Sequence, residues 1–196
     1  MFEILTVCTG NICRSPLAEL LLRTRLGDLD PRVASAGTRG LPGAPMTSEA
    51  AHIARALGVP DAETDAHRSR FLTEQHLVTP DLILAMTRAH RRAVAELAPS
   101  RLRSAFTIRE FARLAQAVPE SELRTAAATA ATPGEKVRAA ASVLASYRGL
   151  VPPPDDPDED DVVDPYRQPW ETYLLSTHQL EPAVTAVATV VRAALT

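Results

Sequence analysis

The feature that most constrains the fold is a strand, a tight loop and a helix in immediate succession near the start of the chain. Residues 4–8 are apolar and predict a buried strand, while Ser15-Pro16 and the apolar spacing after them predict a helix. The connecting loop is so short that the first N–H groups of the helix face the end of the strand. Such N–H groups attract anions, so this edge of the molecule is predicted to bind one.

Cys8 and Arg14 bracket this loop, with five residues between them. The Arg14 guanidinium is permanently charged and matches two oxygens of a phosphate. A free thiol is mostly protonated at neutral pH, and helix N-termini and cations stabilise the reactive thiolate. We therefore interpret Cys8 as a nucleophile in a phosphate-binding loop, with a structural cysteine and a surface arginine as the alternative. The predicted phosphate-binding residues are Thr9, Gly10, Asn11, Ile12, Cys13, Arg14 and Ser15.

Four short segments read as strands, at residues 4–8, 32–36, 81–86 and 102–106, and helical patterns separate them. This alternation favours a parallel sheet with helices on both faces. The prediction is an α/β fold: one doubly wound domain with a central four-stranded parallel sheet in the flavodoxin-like order 2-1-3-4. Ligands bind beyond the carboxyl ends of the strands in such sheets, and Cys8 ends the first strand.

Helix faces and boundaries can also be read from the sequence. Thr87 is predicted to cap a helix that runs to Leu97, ahead of Pro99. Pro182 either begins a new helix or kinks a continuous one near the end of the chain. The apolar faces of the first two helices are predicted to contain Leu17, Ala18, Leu20 and Leu21, and Ala50, Ile53, Ala54 and Leu57, respectively.

Size and charge exclude several classes of protein. A chain of 196 residues with 45% hydrophobic residues has room for one domain with a proper core. The net charge is −3, and setting aside the six acids of residues 155–161 leaves +3. A mildly basic body suits an anionic substrate but is too weak to indicate nucleic-acid binding. No apolar segment approaches the roughly 20 residues that span a membrane, so no membrane partner is expected.

Two cysteines five positions apart cannot form a disulfide framework, and the first residues lack the charged start of a secretory signal. The expected location is therefore the reducing cytoplasm. The five histidines are scattered, without the spacing of a zinc site. We expect catalysis with no metal and no cofactor.

Residues 112–163 differ in character from the rest of the chain. They are rich in alanine, and Thr132 and Glu135 form a capping-box pattern ahead of a predicted helix that Gly149 would end. Three consecutive prolines and the acidic run of residues 155–161 then predict an extended, solvated linker that leads to Asp164.

Residues 7–19 resemble the active-site loop of the low-molecular-weight protein tyrosine phosphatases. The resemblance extends to Ser35-Ala36-Gly37-Thr38, to His67-Arg68-Ser69-Arg70 and to Asp164-Pro165-Tyr166. It covers about residues 1–111 and 164–195, so residues 1–196 are predicted to form one domain of this kind with an atypical helical and acidic insertion at about 112–163.

The resemblance implies that Asp164 is the general acid of a phosphatase reaction. A proton delivered to the leaving oxygen eases departure of a phenolate. Pro165 restricts Asp164 to extended geometry, which holds the carboxyl group outside a helix. The alternative from the residues alone is that Asp164 merely continues the acidic run.

Further residues acquire roles by the same resemblance. Tyr166 would form one wall of the substrate pocket, and Leu41 is a weaker candidate for the opposite wall. Asn11, Ser15, Ser35 and His67 would hold the loop in shape through hydrogen bonds. Cys13 is close enough to Cys8 in the chain to trap it as a disulfide on oxidation, and it could equally be a small buried hydrophobic residue.

The resulting functional hypothesis is hydrolysis of aryl phosphate monoesters, with a phosphorylated protein carrying phosphotyrosine as partner and a cysteinyl-phosphate intermediate. Where this family often has aromatic residues, the chain has Leu41 and Arg167, and these departures weaken the case for phosphotyrosine peptides. Two alternatives stay open: an arsenate reductase that uses a small-thiol reductant, and a non-catalytic module that binds phosphoanions.

Overall fold

The computed structural model describes residues 1–40 and 42–196. Its centre is a four-stranded sheet in the order β2-β1-β3-β4, and all three neighbouring pairs are parallel. The strands are β1 (Phe2–Cys8), β2 (Pro31–Gly37), β3 (Leu82–Ala85) and β4 (Ala105–Thr107). The predicted sheet order is confirmed.

Eight α-helices occur in the described part of the chain. They are α1 (Arg14–Leu26), α2 (Ser48–Ala56), α3 (Asp61–Ala66), α4 (Arg88–Leu97), α5 (Ile108–Ala117), α6 (Glu120–Ala128), α7 (Pro133–Ser146) and α8 (Trp170–Leu195). Helix α8 is continuous through Pro182, so this proline does not begin a new helix.

Both faces of the sheet are buried, as a doubly wound fold requires. Ile4 and its neighbours on one face join the large core formed with α1, α5, α7 and α8. Leu5 and Val7 face the other way and pack with Val94 of α4 and Leu77. The side chains of β1 alternate between the two cores because successive residues of a strand point to opposite faces.

The inserted helices pack on the body of the protein. Helix α6 contacts α7 and α8, and α7 also contacts β1 and β3. The predicted capping box begins α7: the Thr132 hydroxyl accepts a hydrogen bond from the Glu135 N–H, and the Glu135 carboxylate accepts one from the Thr132 N–H. Gly149 closes a 3₁₀ turn that follows α7.

Three local expectations differ from the structure. The fourth strand begins at Ala105 instead of Leu102, because a 3₁₀ turn at Pro99–Arg101 leaves Leu102 in helical geometry and half-exposed. Leu57 is 38% exposed because it caps the end of α2 and does not extend its buried face. The acidic run is neither extended nor simply solvated: Pro157–Asp160 is a 3₁₀ turn whose acids pair with arginines.

Candidate active site

Cys8 is the last residue of β1, and its thiol is buried at the carboxyl edge of the sheet. Its Sγ accepts a hydrogen bond from the Asn11 N–H at 3.2 Å and lies 3.0 Å from the Ser15 hydroxyl oxygen. A backbone donor and a hydroxyl therefore converge on the sulfur. Both groups favour a negative charge there, which is the form of cysteine that acts as a nucleophile.

Asn11 fixes the shape of the loop. Its φ of 55° is left-handed, a conformation that asparagine tolerates better than most residues. Its side-chain amide donates to the hydroxyls of Ser15 at 3.0 Å and Ser35 at 2.7 Å, and its side-chain oxygen accepts from the Arg70 N–H at 2.8 Å. These bonds place the amide directly behind Cys8.

His67 completes the predicted network, because its Nε2 lies 2.8 Å from the Asn11 carbonyl oxygen. Burial lowers the pKa of His67, which favours the neutral ring. The neutral imidazole donates its Nε2 proton to that carbonyl. The structure thus brings together Asn11, Ser15, Ser35 and His67, as the resemblance implies.

Glu19 extends the network and was not predicted. Its buried carboxylate accepts a short hydrogen bond from the Ser35 hydroxyl and pairs with Arg23 one helical turn later. A buried carboxylate is stable only when it is paired and hydrogen-bonded. An acidic residue in the middle of the apolar face of α1 is the sequence signal that would have pointed to it.

Gly37 lets β2 approach the loop closely. A Cβ atom at this position would lie 2.6 Å from the Thr9 carbonyl oxygen, a distance that side chains do not tolerate. The residues after Gly37 then tie the loop down, since Thr38 N–H donates to the Cys8 carbonyl and Arg39 N–H to the Thr9 carbonyl, each at 2.9 Å. Glycine is required here because of this contact.

Arg14, the first residue of α1, is only 4% exposed. Its Nη1 donates to the Val162 carbonyl at 3.0 Å, and its Nη2 lies 3.3 Å from the Thr9 hydroxyl and 2.5 Å from the Asp164 carboxylate. Its buried Nε has no hydrogen-bond partner among residues 1–40 and 42–196. A buried unpaired N–H is costly, so this donor is available for a ligand.

His90 is a second residue that sequence reasoning missed. Its Nε2 lies 2.8 Å from the Thr9 hydroxyl, and its Nδ1 lies 2.8 Å from that of Thr87 at the start of α4. Burial and, to a smaller extent, the positive charge of Arg14 together lower the pKa of His90 to about 4. A neutral ring therefore lies behind Thr9 and leaves Arg14 as the positive charge of this cluster.

A pocket of ≈ 140 Å³ opens above the thiol. Its lining consists of Cys8, Thr9, Gly10, Ile12, Cys13, Arg14, Arg39, Asp164 and Tyr166. Asn11 and Ser15 lie behind it, fully buried. Leu41, the weaker candidate for a pocket wall, lies outside the described residues.

The turn formed by residues 164–168 closes one side of the pocket. The Asp164 carboxylate accepts a hydrogen bond from the Tyr166 N–H at 3.2 Å, and the Tyr166 ring is 39% exposed at the opening. Arg167 adopts a positive φ of 61°, and its guanidinium lies 5.1 Å from the centre of the Tyr166 ring. An acid and an aromatic ring are thus presented side by side.

Cys13 lines the pocket, but its thiol has other neighbours than Cys8. Its Sγ lies 3.5 Å from the Thr47 hydroxyl and 3.9 Å from the Tyr173 hydroxyl. Burial raises the pKa of Cys13 to about 11, so this residue is a thiol at neutral pH. Neither cysteine is in a disulfide.

Across the described part of the chain, no group of three or more histidine, cysteine, aspartate or glutamate side chains is arranged to hold a metal ion. No helix among those same residues combines the length and the apolar composition needed to cross a membrane.

A small pocket lies at the carboxyl edge of the 2-1-3-4 sheet, with a thiol at its base and an arginine beside it. This arrangement is typical of proteins that bind a phosphate group next to a cysteine. The family model for low molecular weight phosphotyrosine protein phosphatase matches residues 3–122. The chain belongs to this family.

Two relatives illustrate the range of the match. The low molecular weight protein-tyrosine-phosphatase Etp of Escherichia coli K12 is 46% identical over 97 residues, which are 50% of this chain and 62% of Etp. The protein-arginine-phosphatase of Geobacillus stearothermophilus is 34% identical over 111 residues, 56% of this chain and 71% of that protein. The matched region therefore spans about three fifths to seven tenths of these relatives' length.

Solved structures agree on the fold. Wzb of Vibrio vulnificus in complex with benzylphosphonate superposes with a TM-score of 0.65 and 26% identity, covering 96% of this chain and 97% of Wzb. The tyrosine phosphatase AmsI of Erwinia amylovora gives a TM-score of 0.66 at 22% identity, covering 95% and 91%.

Proposed function

We propose that this protein hydrolyses aryl phosphate monoesters, with phosphotyrosine in a protein as the substrate. The observation that carries the proposal is the shared lining of one pocket by Cys8, Arg14 and Asp164. A nucleophile, a fixed cation and a carboxyl group are the parts that such a reaction needs. The whole chain, including the insertion at about 112–163, is proposed to act as one phosphatase domain.

In the first step, the Cys8 thiolate attacks phosphorus, the P–S bond forms and the P–O bond to the phenol breaks. Asp164 enters this step protonated and gives its proton to the leaving oxygen. Arg14 and the loop N–H groups stabilise the charge on the three remaining phosphoryl oxygens. The product of this step is a cysteinyl-phosphate and a free phenol.

In the second step, Asp164, now ionised, accepts a proton from water while the water oxygen attacks phosphorus. The P–S bond breaks, inorganic phosphate forms and the Cys8 thiolate is regenerated. Nucleophilic catalysis divides one difficult displacement into two easier ones. The reaction needs Cys8 in its reduced form, and we therefore place it in the cytoplasm.

The unpaired Nε of Arg14 supports binding of a phosphate dianion in particular. A phosphate oxygen would give this N–H the partner it lacks, and a second oxygen would accept from Nη2 once Asp164 is protonated and neutral. Planar two-point recognition of this kind is the usual mode of arginine toward phosphate.

The walls of the pocket favour an aryl ester over a phosphorylated arginine. Ile12 and Tyr166 offer apolar and aromatic surface for a phenol ring. The leaving group of a phosphorylated arginine is a guanidinium. It would lie close to the positive side chain of Arg39, and Asp164 is the one acid among the described residues of the lining. Repulsion between these like charges would destabilise the complex with phosphoarginine. We therefore favour an aryl ester as the substrate, although one relative is named protein-arginine-phosphatase.

A substrate panel tests the proposal: phenyl phosphate, p-nitrophenyl phosphate, a phosphotyrosine peptide and a phosphoarginine peptide, each assayed with a chelator. Cys8→Ser should abolish turnover of all four. Asp164→Asn should slow phenyl phosphate by about 10²-fold or more and p-nitrophenyl phosphate much less, because a good leaving group needs little proton transfer.

Four results would contradict the proposal. A strict metal requirement would exclude the cysteinyl-phosphate route, and faster turnover of phosphoarginine would change the substrate class. Reduction of arsenate by a small thiol, with no ester hydrolysis, would favour the reductase alternative. Phosphate binding without turnover of any ester would favour a non-catalytic module.

A further inference from the structure

The acidic segment, residues 155–161, is attached to the body of the protein by ion pairs with two arginines. Arg88 pairs with Asp158 and Asp161, and Arg113 pairs with Asp160 at 2.8 Å. The segment therefore follows a defined path from the side of α5 to the start of α4. This path leads directly to the turn that carries Asp164.

Asp161 makes the most specific of these contacts. Its Oδ1 accepts a hydrogen bond at 2.7 Å from the N–H of Arg88, the first residue of α4, so its carboxylate satisfies one of the free donors of that helix. Its own carbonyl accepts from the Arg109 guanidinium at 2.9 Å. Asp161 is thus held through both its side chain and its backbone.

The two residues after Asp161 are fixed in turn. The Val162 N–H donates to the Met86 carbonyl at 2.8 Å, and the Val162 carbonyl accepts from Arg14 at 3.0 Å. The Val163 N–H donates to the side-chain oxygen of Gln179 at 2.9 Å. The next residue is Asp164.

We propose that Asp161 is a positioning residue for the reaction: by anchoring the acidic segment to α4, it holds the Asp164 carboxyl group in place at the pocket. This inference rests on the proposed function, in which Asp164 is the general acid. Pro165 restricts the backbone on one side of Asp164, and the anchored residues 161–163 restrict it on the other. Proton transfer requires hydrogen-bond distance, so a small displacement of Asp164 is sufficient to impair it.

The same segment supplies a matched control. Glu159 carries the same charge and is exposed, and its carboxylate forms no ion pair within residues 1–40 and 42–196. A general effect of negative charge near the site would appear in Glu159→Gln as strongly as in Asp161→Ala. A positioning effect would appear in Asp161→Ala alone.

The experiment measures kcat and KM for phenyl phosphate and p-nitrophenyl phosphate in Asp161→Ala, Asp161→Asn and Glu159→Gln. Asp161→Ala should lower kcat for phenyl phosphate by about 10-fold, with little change for p-nitrophenyl phosphate, because only the poor leaving group depends on the acid. Asp161→Asn should recover most of the loss, since asparagine also caps helix N-termini. Glu159→Gln should match the unmodified protein.

Arg88→Gln provides a second route if Asp161→Ala does not fold. It removes the ion pairs to the acidic segment and leaves the backbone N–H of residue 88 in place, so it should give a smaller loss with the same dependence on leaving group. Equal losses for both substrates in the Asp161 and Arg88 variants, or variants that behave like Glu159→Gln, would overturn the inference.

Asp164→Asn separates this inference from the proposed function. If Asp164→Asn shows no dependence on the leaving group, the general-acid assignment fails, and the positioning role fails with it. If Asp164→Asn shows that dependence and Asp161→Ala does not, the proposed function stands and the positioning role of Asp161 is wrong.

Discussion

The Nη2 of Arg14 lies 2.5 Å from the Oδ2 of Asp164, so the cation proposed to bind phosphate is paired with the proposed general acid. A phosphate dianion must compete with this carboxylate for Arg14. The Asp164 side chain is 47% exposed, which makes the pair weak enough to exchange. We therefore propose that the two residues pair with each other in the free protein and that a bound phosphate replaces Asp164 as the partner of Arg14.

Removing this competition should strengthen product binding while it weakens catalysis. Asp164→Asn is expected to lower the inhibition constant of inorganic phosphate by about 2- to 5-fold, in line with roughly 0.5–1 kcal/mol for an ion pair whose carboxylate is about half exposed. Inhibition assays with p-nitrophenyl phosphate measure this, with Asp155→Asn as the control. Weaker phosphate inhibition in Asp164→Asn would contradict the pairing argument.

Gly37→Ala should distort the loop. The new methyl group would overlap the Thr9 carbonyl oxygen, so we expect a loss of about 1–3 kcal/mol in the free energy of unfolding and a larger loss of activity. Denaturant unfolding and kcat/KM are the measurements. Gly27→Ala is the matched control, because a Cβ at Gly27 meets nothing within 4 Å and its φ is helical. Equal effects of the two substitutions would refute the contact.

Stability should fall as the pH is lowered from about 6.5 to about 4, because the unfolded chain binds a proton at His90 in this range and the native protein does not. The depressed pKa of His90 corresponds to a loss of about 3 kcal/mol across this interval. Thermal unfolding at a series of pH values checks it. His90→Gln should flatten the profile, whereas the same change at the exposed His178 should not.

Cys13 should protect the enzyme against oxidation. With the pKa of Cys13 at about 11, its thiol is protonated at neutral pH, so peroxide is expected to oxidise Cys8 first. The resulting sulfenic acid would condense with the Cys13 thiol to a disulfide and water, which a reductant reverses. Cys13→Ser should instead lose activity irreversibly, as measured by recovery with dithiothreitol and by mass spectrometry. Equal recovery in both proteins would argue against this role.

Arg39 should contribute to substrate binding without taking part in the chemistry. It lines the pocket and forms no ion pair in the described part of the chain. Arg39→Gln is therefore expected to raise KM for a phosphotyrosine peptide with acidic neighbours by a few-fold, leave kcat nearly unchanged and reduce the dependence of KM on salt. Arg103→Gln, at an exposed arginine away from the pocket, should have no effect.

Much of this protein could be predicted from local sequence. The thiol, the arginine and the short loop between β1 and α1 follow from one continuous segment, because a buried strand followed at once by a helix fixes where the loop must lie. The parallel sheet followed from the alternation of strand and helix patterns along the chain, and the capped helix α7 from its capping-box residues. Residues that act through neighbours far apart in the chain, such as His90 behind Thr9, gave no comparable signal.

The sequence by itself determined the chemistry available at the end of β1. Only the tertiary structure decided what surrounds it: that Arg14 is buried between Val162 and Asp164, and that the acidic segment is bound to α4 and α5 and is not a solvated linker. The physical reason is that a charge run has no periodicity that reveals its partners. The arginines that pair with the acids of this segment lie more than 40 positions away in the chain. They come into contact with these acids only after the sheet and its helices have formed.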